Sequence, residues 1–188
     1  MALRLLPHMT VIRPADTTET GIAWCAALKN TQGPTAILLT RQNVPVLDRA
    51  QLPPASKLEQ GAYILWQSAN GRPQFIIIAS GSEVQLALDA ARELAKDDLR
   101  ISVVSMPSWE LFERQPEKYR RKVLPPGCKM RLVIEAGVTA GWEKYAGPKG
   151  RVFGLNRFGA SAPYKVLAKE YGFTTENIVS IVKEMLNT

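Results

Sequence analysis

Histidine is almost missing from this chain: one, His8, stands in 188 residues. A single imidazole excludes a histidine-paired nucleophile, a histidine-rich zinc site and a multi-histidine proton relay built from these residues alone. His8 precedes the first strand and reads as structural or solvent-facing. Cysteine is nearly as scarce. Two residues, Cys25 and Cys128, with no CxxC spacing, exclude a disulfide-stapled framework. As free thiols they fit a reducing cytosol, so the protein is expected to be cytoplasmic, and Cys25, inside an apolar helix, is expected in the core. No apolar run approaches the roughly 18 residues that cross a bilayer, and Pro7 and His8 interrupt the N-terminal stretch before a signal-peptide core forms. No membrane partner is expected. The GxGxxG and P-loop patterns are also missing.

What is present is ordinary globular composition, 46% hydrophobic and 22% charged, enough apolar material to exclude a disordered chain. The formal net charge of +7 is unevenly spread: residues 1–94 carry 8 basic and 7 acidic groups, residues 95–188 carry 16 and 10. The one tight basic run, Arg120-Arg121-Lys122, lies in PEKYRRKVL. That stretch reads as a short helix with Tyr119 and Val123 on one side and its charges in water. A nucleic-acid surface needs basic groups gathered with stacking aromatics or a recognisable module. Neither is visible, and no nucleic-acid partner is expected.

The first segment reads strand, helix, strand. MTVIRP (9–14) is β-branched and ends at a proline. Asp16 caps a helix and Glu19 reaches back, a capping box. GIAWCAAL (21–28) is apolar on every side and is expected to be buried all round. TAILLT (35–40) is a continuous apolar run suited to a strand covered on both faces. One βαβ unit of this size cannot bury its own surface. Residues 46–60, rich in proline and without period, read as a linker.

From residue 61 the pattern restarts. GAYILW and QFIIIAS flank an Asn-Gly turn and read as a hairpin, which implies one antiparallel edge. Ser82 and Gln85 fit a capping box opening a helix with the stripe Val84, Ala87, Leu88, Ala91 and Leu94. ISVVSM, RLVIEA and RVFGL are further strands. Pro163 opens a helix with the stripe Tyr164, Leu167, Ala168 and Tyr171, ended by Gly172. Thr174 caps the last helix, with the stripe Ile178, Ile181, Val182 and Met185. The fold class is therefore α/β: a doubly wound, mostly parallel sheet with one antiparallel edge strand, preceded by a partial βαβ unit.

Chemistry-bearing candidates are few. Ser82 and Glu83, after a strand and at a helix start, are weak anion-site candidates, where a turning glycine is the simpler reading. Glu135 ends a strand and has no partner visible in the sequence. Arg41 sits at the carboxyl end of an apolar strand, where open α/β sheets hold ligands, and a guanidinium holds phosphate through two parallel bonds. A surface salt bridge is the alternative.

VIRPAD (11–16), PTAILLTRQNVP (34–45), ASGSEV (79–84), VVSMPSWELFERQ (103–115), IEAG (134–137), NRFGASAP (156–163) and YGFT (171–174) stand in an order and spacing that closely resemble the C-terminal part of the transketolase family. The resemblance runs over nearly the whole chain. It implies the end of a pyrimidine-binding domain at 1–45, a linker at 46–60 and the family's C-terminal domain at 61–188. It implies a parent enzyme that transfers a two-carbon ketol group between sugar phosphates, with thiamine diphosphate and a divalent metal, as a homodimer.

The family's GDG metal and diphosphate motif, its DGPTH stretch and the glutamate that activates the cofactor are not among these residues. The chain by itself is therefore expected to be non-catalytic and structural, to bind no cofactor alone, and to need the N-terminal domains of the same enzyme as partners. By the same resemblance Arg41, in LTRQNVP, binds the substrate's terminal phosphate. Rival readings are a piece of dihydroxyacetone synthase or deoxyxylulose phosphate synthase, and a free-standing phosphometabolite-binding or assembly module.

Overall fold

Two sheets carry the chain. A computed structural model describes residues 2–187. β1 (Thr10–Ile12) and β2 (Thr35–Ile37) form a two-stranded parallel sheet joined by α1 (Thr17–Lys29). β3 (Tyr63–Gln67), β4 (Phe75–Ala79), β5 (Ile101–Ser105), β6 (Arg131–Glu135) and β7 (Arg151–Gly154) form a second sheet in the order β3-β5-β4-β6-β7. All its pairs are parallel except β3 with β5. Five helical segments complete the connections: α2 (Glu83–Ala95), α3 (Trp109–Glu113), α4 (Glu117–Val123), α5 (Glu143–Ala146) and α6 (Tyr164–Glu170), and α7 (Thr175–Leu186) closes the chain.

β4 is apolar at every position because both its faces are covered. Phe75, Ile77 and Ala79 pack into a core with the buried stripe of α2 and with Ile178, Ile181 and Val182 of α7. Ile76 and Ile78 point the other way, toward Phe112, Val123, Trp142 and Tyr145 on α3 to α5 and their approaches. Alternate residues of a strand face opposite sides, so five consecutive hydrophobics serve two cores. Both stripes read from the sequence for α2 and α7 are buried, and Thr174 Oγ1 accepts from the Asn177 amide as the cap of α7.

Several expectations are corrected. The antiparallel edge exists, but β3 pairs with β5 rather than forming a hairpin with β4. Both edges of β4 are already taken by β5 and β6, and the intermediate burial along β3 suits an edge position. Ser82 does not cap α2: its backbone is already helical and its hydroxyl donates to Glu83 Oε1 instead. The apolar stripe of α6 is not buried, and Tyr164 is half exposed.

The largest departures fall in the βαβ unit. β2 ends at Ile37 rather than running to residue 40. The last rung joins the Leu38 amide to the Ile12 carbonyl, after which the Arg13 amide turns away to donate to the Pro107 carbonyl. The strand loses its partner at that point. α1 is apolar all round yet buries only Glu19 and Ala23, leaving Trp24 57% and Leu28 80% exposed. Cys25 is exposed with them, not in the core. The buried side of the unit joins Ile12 and Ala23 to Leu58 in the 3₁₀ turn Ala55–Gln60, so the proline-rich stretch is ordered packing material.

Candidate functional site

The carboxyl ends of β4, β5 and β6 lie together because those three strands are parallel neighbours. Arg13 is laid across them. Its amide donates to the Pro107 carbonyl beyond β5, and its carbonyl accepts from the Gly81 amide beyond β4. Its Nη1 stands 2.6 Å from Glu135 Oε1 and 3.0 Å from Glu83 Oε2, and donates to Ser80 Oγ at 3.0 Å. The Ser80 hydroxyl donates in turn to Glu135 Oε2 at 2.7 Å, and the Ala136 amide donates to Glu83 Oε2 at 3.0 Å. Ser80, Glu83 and Glu135 are all buried. Burial foremost holds the Glu135 carboxyl above its usual range, with Arg13 opposing and Glu83 adding to the shift. Burial alone would lower the Arg13 guanidinium, but Glu83 and Glu135 more than offset it and hold it above its ordinary value.

A second buried polar cluster sits at the start of α1. Asp16 Oδ1 accepts from the Glu19 amide as a cap, and Glu19 Oε2 reaches back past the cap to accept from the Ala15 amide at 2.7 Å, one residue before the position a capping box uses. The Leu47 amide donates to Asp16 Oδ2 at 2.9 Å. Arg49 lies 3.3 Å from Asp16 Oδ2, and its Nη1 donates to the Tyr63 hydroxyl. Tyr63 in turn donates to Glu19 Oε1. Burial of Asp16 would raise its pKa, but the Glu19 and Leu47 amides, the Thr18 hydroxyl and Arg49 bring it below the usual range. Burial of Glu19 dominates its bonds to Tyr63 and Ala15 and raises it. The two clusters hold the βαβ unit against the larger sheet.

The residues singled out from sequence fall in three places. Arg41 is exposed, four positions past the end of β2, and among the described residues it forms no ion pair or side-chain hydrogen bond. Ser82, Glu83 and Glu135 come together around Arg13. The α2 N-terminus therefore already carries a carboxylate of its own, at Glu83. His8 is exposed with a φ of +62°. The basic run is a helix face as read: Arg121 pairs with Glu117 and Arg120 with Glu113.

Among the described residues no three His, Cys, Asp or Glu side chains are placed to hold a metal ion. The buried carboxylates are each committed to a neighbouring arginine, so the residues present do not fit the diphosphate and metal end of a thiamine cofactor. No helix of the described residues is long and apolar enough to cross a membrane. Sequence reasoning missed Arg13, Arg49 and Tyr63. The signal for Arg13 was a charge directly after three β-branched or apolar strand residues and before a proline, but its partners lie on strands distant in sequence.

Comparison with known proteins covers both parts of the chain. The model of the transketolase-like C-terminal domain matches residues 61–174, and that of the transketolase pyrimidine-binding domain matches residues 1–46. The transketolase of Bacillus subtilis (strain 168) is 48% identical over 186 residues, which is 99% of this chain and 28% of that protein. Transketolase from Leishmania mexicana superposes with a TM-score of 0.88 at 43% identity, covering 98% of this chain and 26% of its own. A Pichia stipitis transketolase in complex with sedoheptulose 7-phosphate gives 0.89 at 36%, covering 99% and 26%. The chain spans a little over a quarter of the length of these relatives.

Proposed function

Since this chain belongs to the transketolase family through its match over residues 61–174, we propose that it acts as the C-terminal part of a ketol transferase. The whole enzyme moves a two-carbon unit between sugar phosphates with thiamine diphosphate and a divalent metal, and works as a cytoplasmic homodimer. In this reading residues 1–45 end the pyrimidine-binding domain, 46–60 link, and 61–188 form the C-terminal domain. The chain alone does no chemistry and holds no cofactor.

The observation that carries this reading is the unfinished βαβ unit. Trp24, Leu28 and Leu39 are large apolar side chains left exposed on a unit whose strand β2 stops after three residues. Exposed apolar area of that kind belongs against protein. We assign its cover to the rest of the pyrimidine-binding domain and to the adjoining cofactor domain. Arg41 follows β2, exposed and unpaired among the described residues, where a sugar phosphate bound between those parts would meet a bidentate donor. The relative bound to sedoheptulose 7-phosphate supports that class of ligand.

The test is Arg41→Ala in the complete enzyme. Loss of a charge-assisted pair costs about 2 kcal/mol, roughly 30-fold in kcat/KM, for phosphorylated substrates. Non-phosphorylated ketoses should change little. Equal losses on both would remove Arg41 from phosphate recognition.

A further inference from the structure

In the larger sheet, leaving aside its antiparallel edge, the parallel strands run β5-β4-β6-β7. The chain leaves β4 into α2 on one face, and leaves β6 into α5 on the other. The two loops diverge beyond the carboxyl ends of β4 and β6. That divergence opens the crevice in which open α/β sheets hold ligands. Here the crevice is filled, by Arg13 from the βαβ unit.

Its polar contacts converge on one nitrogen, Arg13 Nη1, and the rest of the guanidinium lies over bare backbone. Glu135 Oε2 is fixed by the Ser80 hydroxyl and Glu83 Oε1 by the Ser82 hydroxyl at 2.6 Å, which leaves Glu135 Oε1 and Glu83 Oε2 aimed at the same nitrogen. Gly81 supplies the floor. A Cβ there would stand 3.0 Å from Arg13 Nη2, 3.1 Å from Cζ and 3.2 Å from Nε, so the flat guanidinium lies close over bare backbone and would have to give by a few tenths of an ångström to any side chain. Gly81 adopts a φ of +58°, which glycine takes without strain. Two buried carboxylates require a cation nearby, and Arg4, stacked over Trp109, adds only a more distant positive charge toward Glu135. A compact ammonium would meet the oxygens and leave the space over Gly81 empty.

We infer that this crevice is a guanidinium-binding site of the five-stranded unit, occupied in cis by Arg13 as a tethered ligand. Emptied of Arg13, it takes a free alkylguanidinium in the same pose. The inference stands on residues of this chain and does not depend on the ketol-transfer reading.

The experiment is thermal unfolding of the chain and of its Arg13→Ala variant, in ethylguanidinium or in ethylammonium at matched millimolar concentration and ionic strength. Arg13→Ala is expected to lower Tm by roughly 10 °C. Ethylguanidinium at ten times its Kd should return about 4 °C to the variant and nothing to the parent chain, with saturation. Ethylammonium should return much less. If the variant does not fold unaided, its refolding yield with each cation is the readout, with recovery expected for ethylguanidinium only. Equal effects of the two cations, an equal effect on the parent chain, or no effect of either would overturn the site.

Discussion

The Tyr63 hydroxyl donates to Glu19 Oε1 at 2.5 Å, so the first residue of β3 satisfies a carboxylate that the first turn of α1 buries completely. Tyr63→Phe removes the donor and keeps the ring, leaving Oε1 with Ser105 at 3.5 Å and Arg49 at 3.7 Å. The expected loss is about 1–3 kcal/mol in urea unfolding. A loss near zero would mean that the two parts of the chain are held by other contacts.

The same carboxylate gives a pH dependence whose sign is fixed. Burial raises the folded pKa of Glu19, and of Glu135, above the unfolded value. The folded chain then binds more protons than the unfolded one, from the ordinary glutamate range up to those raised values. Stability therefore falls as pH rises through that window. Asp16 acts oppositely: its folded pKa is lowered, so its contribution is present above the unfolded value and disappears as pH falls through the folded one. Glu19→Gln should flatten the descent on the higher side and leave the acid limb in place. Urea midpoints across the pH range check this, and an unchanged descent counts against it.

Exposed Trp24 and Leu28 should make the chain associate at high concentration. Trp24→Lys with Leu28→Lys is expected to abolish concentration-dependent sedimentation while changing stability by no more than about 0.5 kcal/mol. Association that persists in the double variant would place the sticky surface elsewhere.

Two helix starts that look alike in sequence should behave differently. Thr174 Oγ1 caps α7, and Thr174→Ala should cost about 1 kcal/mol. The Ser82 side chain accepts from no α2 amide, so Ser82→Ala should cost no cap energy and only loosen the orientation of Glu83. Chemical denaturation of both variants separates the cases.

The strands and long helices of residues 61–188 were legible because burial on one or two faces leaves a period that a short window shows. Pairing was not legible. FIIIA at β4 and YILWQ at β3 look like adjacent hairpin arms, and only the competition of β5 and β6 for the edges of β4 separates them. α1 misled for a different reason: GIAWCAAL carries the pattern of a helix buried all round, whereas Trp24, Cys25 and Leu28 face open space in this chain. Arg41 was singled out by its motif and by an apolar run to residue 40, but the strand itself stops four positions before it, at Ile37. Arg13 was not, since its meaning lies in Glu83 and Glu135, which only the folded sheet brings to it.

The central claim is that these residues complete a ketol transferase whose chemistry resides in other domains. Ketol transfer from xylulose 5-phosphate, measured for the chain alone and after mixing with the separately produced N-terminal portion of the same enzyme, tests it most directly. The account predicts no turnover by either part and thiamine-dependent turnover by the mixture. Turnover by the chain alone, or none from a mixture shown by sedimentation to have formed a complex, would contradict it.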